Sequence, residues 1–527
     1  MNNSKEPMGQ NPREDPGDKE EVLTLLKFIQ TRWRTTGGLA LLAVIILSFG
    51  AFAVKQFDPD FWWGTLVGQM ILNGHFPHTD PFTFTAVGHR FIVQLWGSEV
   101  LLDLLYKVGM IPVILFFAII SLLGFLIALE RVRRRGISPG ILAVVGALGL
   151  AVGLSTFGPR SQMFTFLGVA LLLFVLDWHK RKGGRMIWLL VPFFCIWGNL
   201  HGGFNIGLGL FFLVILAEFI EKKFLFPRQG NSAGRGLDKA GKRESRVRIL
   251  VLVLLVSVIG LIVNPNGPYV YLYAFGLLSN SVAQSNLDEW RSPSFHDPTF
   301  LPLLILIFLL IVVAPKAKKA TLADIFTAIA GVGLTLYAVR DLSILSVTYM
   351  PLAAFGIQGW KDELGRTKFK VPIRKFGRFF AFLVLVISLV ASAFITGEHL
   401  ASPLNNSKSS AYPVAVAEEI CSLPKENLFT PYGSSGWILY EMKDGGIKNC
   451  PQDKVFIFGD VDTMGPIIFQ AYLNITAGSS DSLALLKNYH AQLVWQQKGS
   501  PLITVLEGSP NWRLIWQNGT EVIFQNK

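Results

Sequence analysis

The stretch KQFDPDFWWG, from Lys55 to Gly64, follows directly on the first long apolar run of the chain. Asp58 and Asp60 flank a proline there, and Phe61, Trp62 and Trp63 come straight after them. Acids beside a bilayer are costly unless something uses them, so the reading turns on whether the run before them spans a membrane. Composition answers that. Of 527 residues, 51% are hydrophobic and 16% charged, and the mean hydropathy is +0.44. Soluble domains carry nearer a quarter charged residues, so the chain reads as an α-helical polytopic membrane protein.

Apolar runs lie at 38–55, 109–129, 139–158, 163–177, 186–200, 203–220, 249–264, 300–314, 321–338, 342–360 and 379–396. Several fall short of the ~20 residues of an upright span, which predicts short or tilted helices. Threaded alternately, they predict eleven crossings with the N-terminus inside and everything after 396 outside. The charge distribution supports that threading. Much of the net charge of +12 gathers in 130–136, 221–248 and 361–378, all between runs. Ahead of residue 397, only Lys55, Arg90, Lys107, Arg160, Arg291 and Arg340 are basic on the outer side. This is the positive-inside pattern, and it replaces nucleic acid as the explanation of the positive charge. The expected layout is a disordered cytoplasmic tail at 1–37, a transmembrane domain at 38–396 and an extracytoplasmic domain at 397–527. The expected location is the plasma (inner) membrane, multi-pass, with lipid bilayer around the helices.

The first outer loop, 56–108, is long and patterned. It holds the helical spacing of GTLVGQMILNG, the turn-rich HFPHTDPFTF and the amphipathic VQLWGSEVLLDLLYKVG. The C-terminal region reads as a small α/β domain. KVFIFGDVD (454–462) and AQLVWQQ (491–497) suggest strands, DSLALLKNYH a helix opened by an acid, and WRLIWQNGTEVIFQ a hairpin turning on Asn518-Gly519. Cys421 and Cys450 both fall here, so a disulfide is allowed in an oxidising exterior. Cys195 lies in a membrane helix, where packing is its expected role. With no CxxC or HExxH, zinc and thiol-redox chemistry have no motif.

Threading also sets a level for the remaining polar residues. TFGPRSQMF places Arg160 and Gln162 at the outer mouth, WGNLHGGFN places Asn199 and His201, and AVRDLS places Arg340. NLDEWRSPSFHDP adds Glu289 and Arg291, and the first loop adds His78 and Asp80 to Asp58 and Asp60. A lone Arg at a helix end often only snorkels, and Asp58 could simply cap a helix. Four cation-capable residues at a level where basic residues are discouraged suggest more: guanidinium groups for a phosphate, and acids for a general base or a divalent cation such as Mg or Mn. Asp58 and Asp60 are the candidate catalytic or metal-binding pair, with Arg160, His201 and Arg340 as candidate phosphate ligands. Because Pro59 biases Asp58 toward extended backbone, one acid should face the cleft while the other caps or orients the next segment of chain. Asp58 is the favoured base, and the three aromatics are expected to anchor the loop at the membrane interface. GDVD (Asp460, Asp462) is read as a solvated strand-end turn and YGSSGW (432–437) as a turn, so Asp460→Ala is expected to leave transfer largely intact.

FDPDFWWGTLVGQMILNGHFPHTDPFTFTAVGHRFIVQLWGSEVLL resembles the first outer loop of the GT-C superfamily of membrane glycosyltransferases. Oligosaccharyltransferase catalytic subunits and protein O-mannosyltransferases are relatives of this kind. A nearer likeness is to mostly uncharacterised bacterial membrane proteins that share PHTDPFTFT, RSQMF, NLHGGF, EWRSP and AVRD, then a small outer α/β domain. The likeness covers roughly 40–360 and, loosely, the C-terminal region. Those sequences often carry His after the double Trp, where this chain has Gly64. The resemblance implies a polyprenyl-phosphate-linked sugar donor and a glycan, lipid or protein acceptor. It implies Asp58 as the loop acid; the charge distribution already argues against a nucleic-acid partner. The competing classes are a transporter or flippase for a lipid-linked saccharide, and a non-catalytic component of cell-surface polysaccharide assembly. The apolar runs show few charges near the midplane and no inverted repeat, which counts against transport.

Overall fold

The computed structural model describes residues 35–53, 57–225, 235–271, 281–365, 377–401, 412–445, 447 and 449–527. The tail and the centres of the two longer basic stretches lie outside these residues. Each apolar run contains a helix. They are α1 (Thr36–Phe52), α4 (Met110–Arg133), α5 (Pro139–Gly153), α6 (Gln162–Lys182), α7 (Leu190–Leu200), α8 (Phe204–Ile220), α9 (Arg235–Gly260), α10 (Leu301–Val313), α11 (Leu322–Tyr337), the pair α12 (Leu342–Thr348) and α13 (Met350–Leu364), and α14 (Gly377–Ala401). Two further helices, α2 (Asp60–Leu72) and α3 (Trp96–Val108), belong to the first loop.

Among the described residues, five helices are long and apolar enough to cross a membrane, or six if α12 and α13 form one span bent by 50°. Shorter apolar helices include α1, α11, the stretch Arg185–Leu200 that ends in α7, and Phe382–Gly397 within α14. The eleven apolar runs are therefore helical, and among the described residues length and apolarity qualify five or six of them as spans. Close approach at small residues draws α14 back onto α1: a Cβ at Gly50 would lie 2.7 Å from the Ser392 Cα.

One end of the bundle is closed by paired charges. Asp324 in the capping box of α11 meets Arg131 at 3.0 Å and Arg135 at 2.8 Å, and Lys180 bridges Glu218 at 2.7 Å and Glu221 at 2.9 Å. The opposite end carries the first loop and the C-terminal region.

That C-terminal region contains α15 (Val414–Ser422), β1 (Leu428–Phe429), α16 (Tyr432–Lys443), α17 (Val461–Thr476), α18 (Ser482–Asn488), β2 (Leu493–Gln497), α19 (Pro501–Glu507), β3 (Trp512–Gln517) and β4 (Glu521–Asn526). The sheet order is β1-β2-β4-β3, with β1 and β2 parallel and the rest antiparallel. The expected hairpin is present. Asn518 closes it by accepting from Thr520 and Glu521 backbone N–H groups at 2.8 and 2.7 Å. Cys421 and Cys450 are joined. YGSSGW opens α16 instead of forming a turn, because Gly433 and Gly436 sit inside a helix whose apolar side is buried. Asp481 stands at the start of α18 without capping it through its side chain.

The predicted strand at 454–462 is shorter than expected and has two partners. Val455 bridges Leu428 on one side and Thr83 of the first loop on the other, and Phe84 N–H donates to the Val455 carbonyl at 3.2 Å. PHTDPFTFT thus adds a short edge to the C-terminal sheet, a mode of docking in which backbone hydrogen bonds join separate segments. The aromatic residues of the loop are buried in this joint. Phe61, Trp62 and Trp63 are 2%, 3% and 6% exposed, and pack on Tyr106, Tyr412, Tyr440, Phe91 and Phe458. They form a core between loop and C-terminal region, so the expectation of membrane-interface anchors is not met.

Gly459 sits where this joint is tightest, since a Cβ there would lie 2.0 Å from Asp60 Oδ1. Gly459→Val is expected to part the C-terminal region from α2 while leaving its own disulfide-closed core intact. Hydrogen exchange should then show faster exchange at 82–85 and 455–459 only. Unchanged protection at those residues would contradict the joint described here.

Candidate functional site

Asp58 and Asp60 divide the two tasks that Pro59 predicts for them, in the order opposite to the expected one. Asp58 precedes α2. Its Oδ1 accepts from the Asp60 backbone N–H at 3.1 Å, and its backbone carbonyl accepts from Phe61 at 2.9 Å. These bonds form a turn leading into α2, and Pro59 is the residue directly before the helix. Its Oδ2 lies 3.3 Å from Arg160 Nη2, and both side chains are mostly buried. Asp58 is thus a turn residue and an ion-pair partner.

Asp60 begins α2 and faces the C-terminal region at Gly459. Trp63 Nε1 donates to its Oδ1 at 2.9 Å. The residue keeps an open surface while Asp58, Glu289 and Asp460 gather around it. Its pKa is pushed up to about 8, first by desolvation, then by Asp58, with Glu289 and Asp460 adding and the Trp63 bond opposing.

Asp460 comes from the C-terminal region and, against the expectation of a solvated turn, is 8% exposed, with its Oδ2 accepting from Thr463 Oγ1 at 2.7 Å. Burial pushes it up to about 6, and burial plus Asp460 push Asp462 up to about 7. Tyr432 closes the same wall: its hydroxyl donates to the Gly459 carbonyl at 3.1 Å, and its N–H donates to Tyr472 Oη at 2.7 Å. Burial, followed by Asp60, Glu289, Asp460 and Asp58, holds the Tyr432 phenol firmly neutral.

Opposite these acids stands a basic wall built at three helix starts. Arg160 lies in the hairpin before α6, with its Nε unpartnered among the described residues. The Gln162 amide donates to the Arg340 carbonyl, which ties this hairpin to the start of α12. The Arg340 guanidinium meets Glu289 at 3.2 Å and lies 4.3 Å over the Trp290 ring. His201 follows α7. Its Nδ1 accepts from the Gly203 N–H at 3.0 Å, so the Thr165 hydroxyl, 2.7 Å away, donates to that nitrogen too. Thr165 Oγ1 in turn accepts from Trp197 Nε1 at 3.1 Å. Both donors fix the ring proton on Nε2. Burial and then the Arg340 charge push His201 down to about 3, so it is a neutral hydrogen-bond donor and not a cation.

α3, α6 and α8 all begin at this wall without a side-chain cap. Ser98 Oγ and Ser161 Oγ meet at 3.1 Å, and the Gln94 amide lies so close over Gly202 that a Cβ there would be 2.6 Å from its Oε1. Helix N-termini carry partial positive charge, so their convergence beside Arg160 and Arg340 favours an anion.

The remaining candidates do other work. Asn199 is fully engaged: its Oδ1 accepts from Trp96 at 2.5 Å and from Asn264 at 3.0 Å, and its Nδ2 donates to Cys195 and Val263 carbonyls. Asp80 is buried and caps its own turn through Phe82 and Thr83. His78 is exposed with its ring against Phe76, and the exposed Arg291 pairs with Asp288 at 3.2 Å. Gln94, Glu99, Thr165, Tyr432 and Asp460 are the additions. Asp58 already serves a turn and an arginine, and no group of three His, Cys, Asp or Glu suited to a metal occurs among the described residues.

No protein-family model and no curated protein sequence matches the chain. Among solved structures it is similar to the archaeal oligosaccharyltransferase AglB from Archaeoglobus fulgidus, in complex with an inhibitory peptide and a dolichol-phosphate. That likeness has a TM-score of 0.49 at 11% identity, over 87% of this chain and 69% of that one. It is also similar to ArnT from Cupriavidus metallidurans bound to undecaprenyl phosphate, with a TM-score of 0.49 at 14% identity over 92% and 96% of the two chains. A third is the arabinofuranosyltransferase AftD from Mycobacteria, at 0.47 and 13% identity, of which this chain spans 40%. At these TM-scores the likeness is partial, and the functional reading rests on the residues.

Asp60 binds its proton more tightly in the folded chain than at its usual 3.8, so the native state holds more protons than the unfolded one between about pH 4 and 8. Stability contributed by this group therefore falls as pH rises through that window. Asp60→Asn is expected to raise the melting temperature at pH 8 and to change it little at pH 4. A lower melting temperature at pH 8 would contradict the crowding of acids around this residue.

Proposed function

We propose that the chain is a GT-C-type membrane glycosyltransferase that moves a sugar from a polyprenyl-phosphate donor to an acceptor hydroxyl. The observation that carries this reading is the facing of two walls. One is acidic, from Asp60 and Asp460, with Glu289 reaching across to Arg340. The other is a phosphate-seeking wall of Arg160, Arg340, the His201 Nε2–H and three uncapped helix starts. The motifs quoted from the first loop resemble that superfamily, and the neighbours AglB and ArnT are described with dolichol-phosphate and undecaprenyl phosphate. The disulfide supports placing the C-terminal region, and with it the site, on an oxidising outer face of the plasma membrane.

Asp60 acts as the base. The acceptor oxygen forms a bond to the anomeric carbon, and the bond from that carbon to the phosphate oxygen breaks with its electron pair going to the phosphate. The acceptor proton goes to the Asp60 carboxylate. Attack from the face opposite the phosphate inverts the anomeric centre. The negative charge that grows on the leaving phosphate is met by guanidinium groups and a neutral imidazole N–H, donors whose positions are set in advance. Asp58 holds Arg160 until a donor phosphate takes its place. A base with a pKa near 8 works only in its ionised fraction, so the rate should rise with pH through that region.

Transfer of labelled sugar from a polyprenyl-phosphate donor in reconstituted membranes tests this. Asp60→Asn should lower turnover by about 10²–10⁴-fold, the usual worth of a general base. Asp58→Asn should act mainly through a raised donor KM, because it loosens Arg160. Transfer at the wild-type rate in both variants would end the catalytic reading of these acids.

A further inference from the structure

Asp60, Gly64 and Gly68 lie along one face of α2, and α3 packs on that face. A Cβ at Gly68 would lie 2.1 Å from the Glu99 carbonyl oxygen, and one at Gly64 would lie 3.6 Å from Glu99 Cγ. The Glu99 backbone therefore sits level with Gly68, and its side chain runs past Gly64 toward the turn that carries Asp60. The residue is 2% exposed, and its Oε2 has no hydrogen-bond partner among the described residues.

Among the described residues, no cation is paired with this carboxyl. The charged groups that act on it are Asp60 from α2 and Asp460 from the C-terminal region, both acids. On its own helix Asp103 is taken by Lys107 at 2.7 Å, and from α6 the contact with its neighbour Ser98 is the Ser161 hydroxyl. A buried acid among acids keeps its proton. Burial first, then Asp460 and Asp60, hold Glu99 well above the ordinary range.

We propose that Glu99 is a positioning residue for Asp60: a neutral carboxylic acid at the back of the cleft whose lack of charge lets the acid in front of it ionise. The proposal rests on the glycosyl-transfer reading given above. With its proton in place, Glu99 adds no field, and Asp60 is free to take the acceptor proton. Once ionised, after Asp60 has already lost its proton, it puts a second uncompensated charge behind Asp60 and opposes the approach of an anionic donor. Activity should therefore have an alkaline limit set by Glu99, in addition to the rise set by Asp60.

Glu99→Gln has the same shape and is neutral at every pH. In reconstituted membranes the wild-type transfer rate should rise with pH and then fall, and the variant should keep the rise and lose the fall. A variant with the same alkaline fall as wild type would overturn the proposal, as would a folded variant with no transfer. Infrared absorption of the purified full-length chain gives a readout independent of turnover. At a pH above the ordinary carboxylate range, the Asp60→Asn protein should show protonated-carboxyl absorption that the Asp60→Asn, Glu99→Gln double variant lacks. Equal spectra would overturn the proposal even where sugar transfer is confirmed. Absence of transfer in wild type beside a clear infrared difference would instead overturn the functional reading on which the proposal rests, and Glu99's positioning role with it.

Discussion

Asp60 is held among Asp58, Glu289 and Asp460, with one indole N–H as its hydrogen-bond partner, and much of the molecule is arranged around that crowding. Three separate segments supply the neighbouring acids. The first loop brings Asp58, the loop before α10 brings Glu289, and the C-terminal region brings Asp460. They meet because Gly459 has no side chain to keep Asp60 away, and because backbone bonding between Phe82–Phe84 and Val455 fixes the C-terminal region against the loop. Such a cluster destabilises the native state when ionised, a cost that functional sites commonly carry. The buried aromatic joint of Phe61, Trp62 and Trp63 offsets it by removing large apolar surfaces from water.

The two ends of the bundle handle charge in different ways. At one end, acids and bases are matched in buried pairs: Asp324 with Arg131 and Arg135, and Glu218 and Glu221 with Lys180. At the other, Arg160 and Arg340 each meet one acid, Asp58 and Glu289, while Asp60, Asp460 and Glu99 have no basic partner among the ion pairs of the described residues, and Arg160 Nε and Glu99 Oε2 lack hydrogen-bond partners there. Matched charges hold helices together. Facing, incompletely paired charges leave donors and acceptors available to a ligand that is itself charged.

Helices are the most legible feature of the sequence, because apolar runs of this length leave few alternatives and every one of them is helical. The hairpin at Asn518-Gly519 is legible for a similar reason, since its turn chemistry is local. Residue roles are less so. Pro59 forces Asp58 and Asp60 to differ, yet nothing local says which one faces the cleft; that is decided by Gly459, which lies far along the chain. Asn199 and Asp80 have the same chemistry as ligands and serve as clamps, because neighbouring backbone groups and Asn264 happen to satisfy them. Glu99 is hidden inside an amphipathic pattern. Only packing against Gly64 and Gly68 shows that it is turned inward.

A lipid phosphate seated between the acidic and basic walls is the centre of this mechanism, and a structure of the full chain with a polyprenyl phosphate bound tests it most directly. The phosphate should lie within hydrogen-bond distance of the Arg160 and Arg340 guanidinium groups and of His201 Nε2. Asp58 should be displaced from Arg160, and the Asp60 carboxylate should face the phosphate across the cleft. A phosphate bound elsewhere, with the Asp58–Arg160 pair intact, would contradict it.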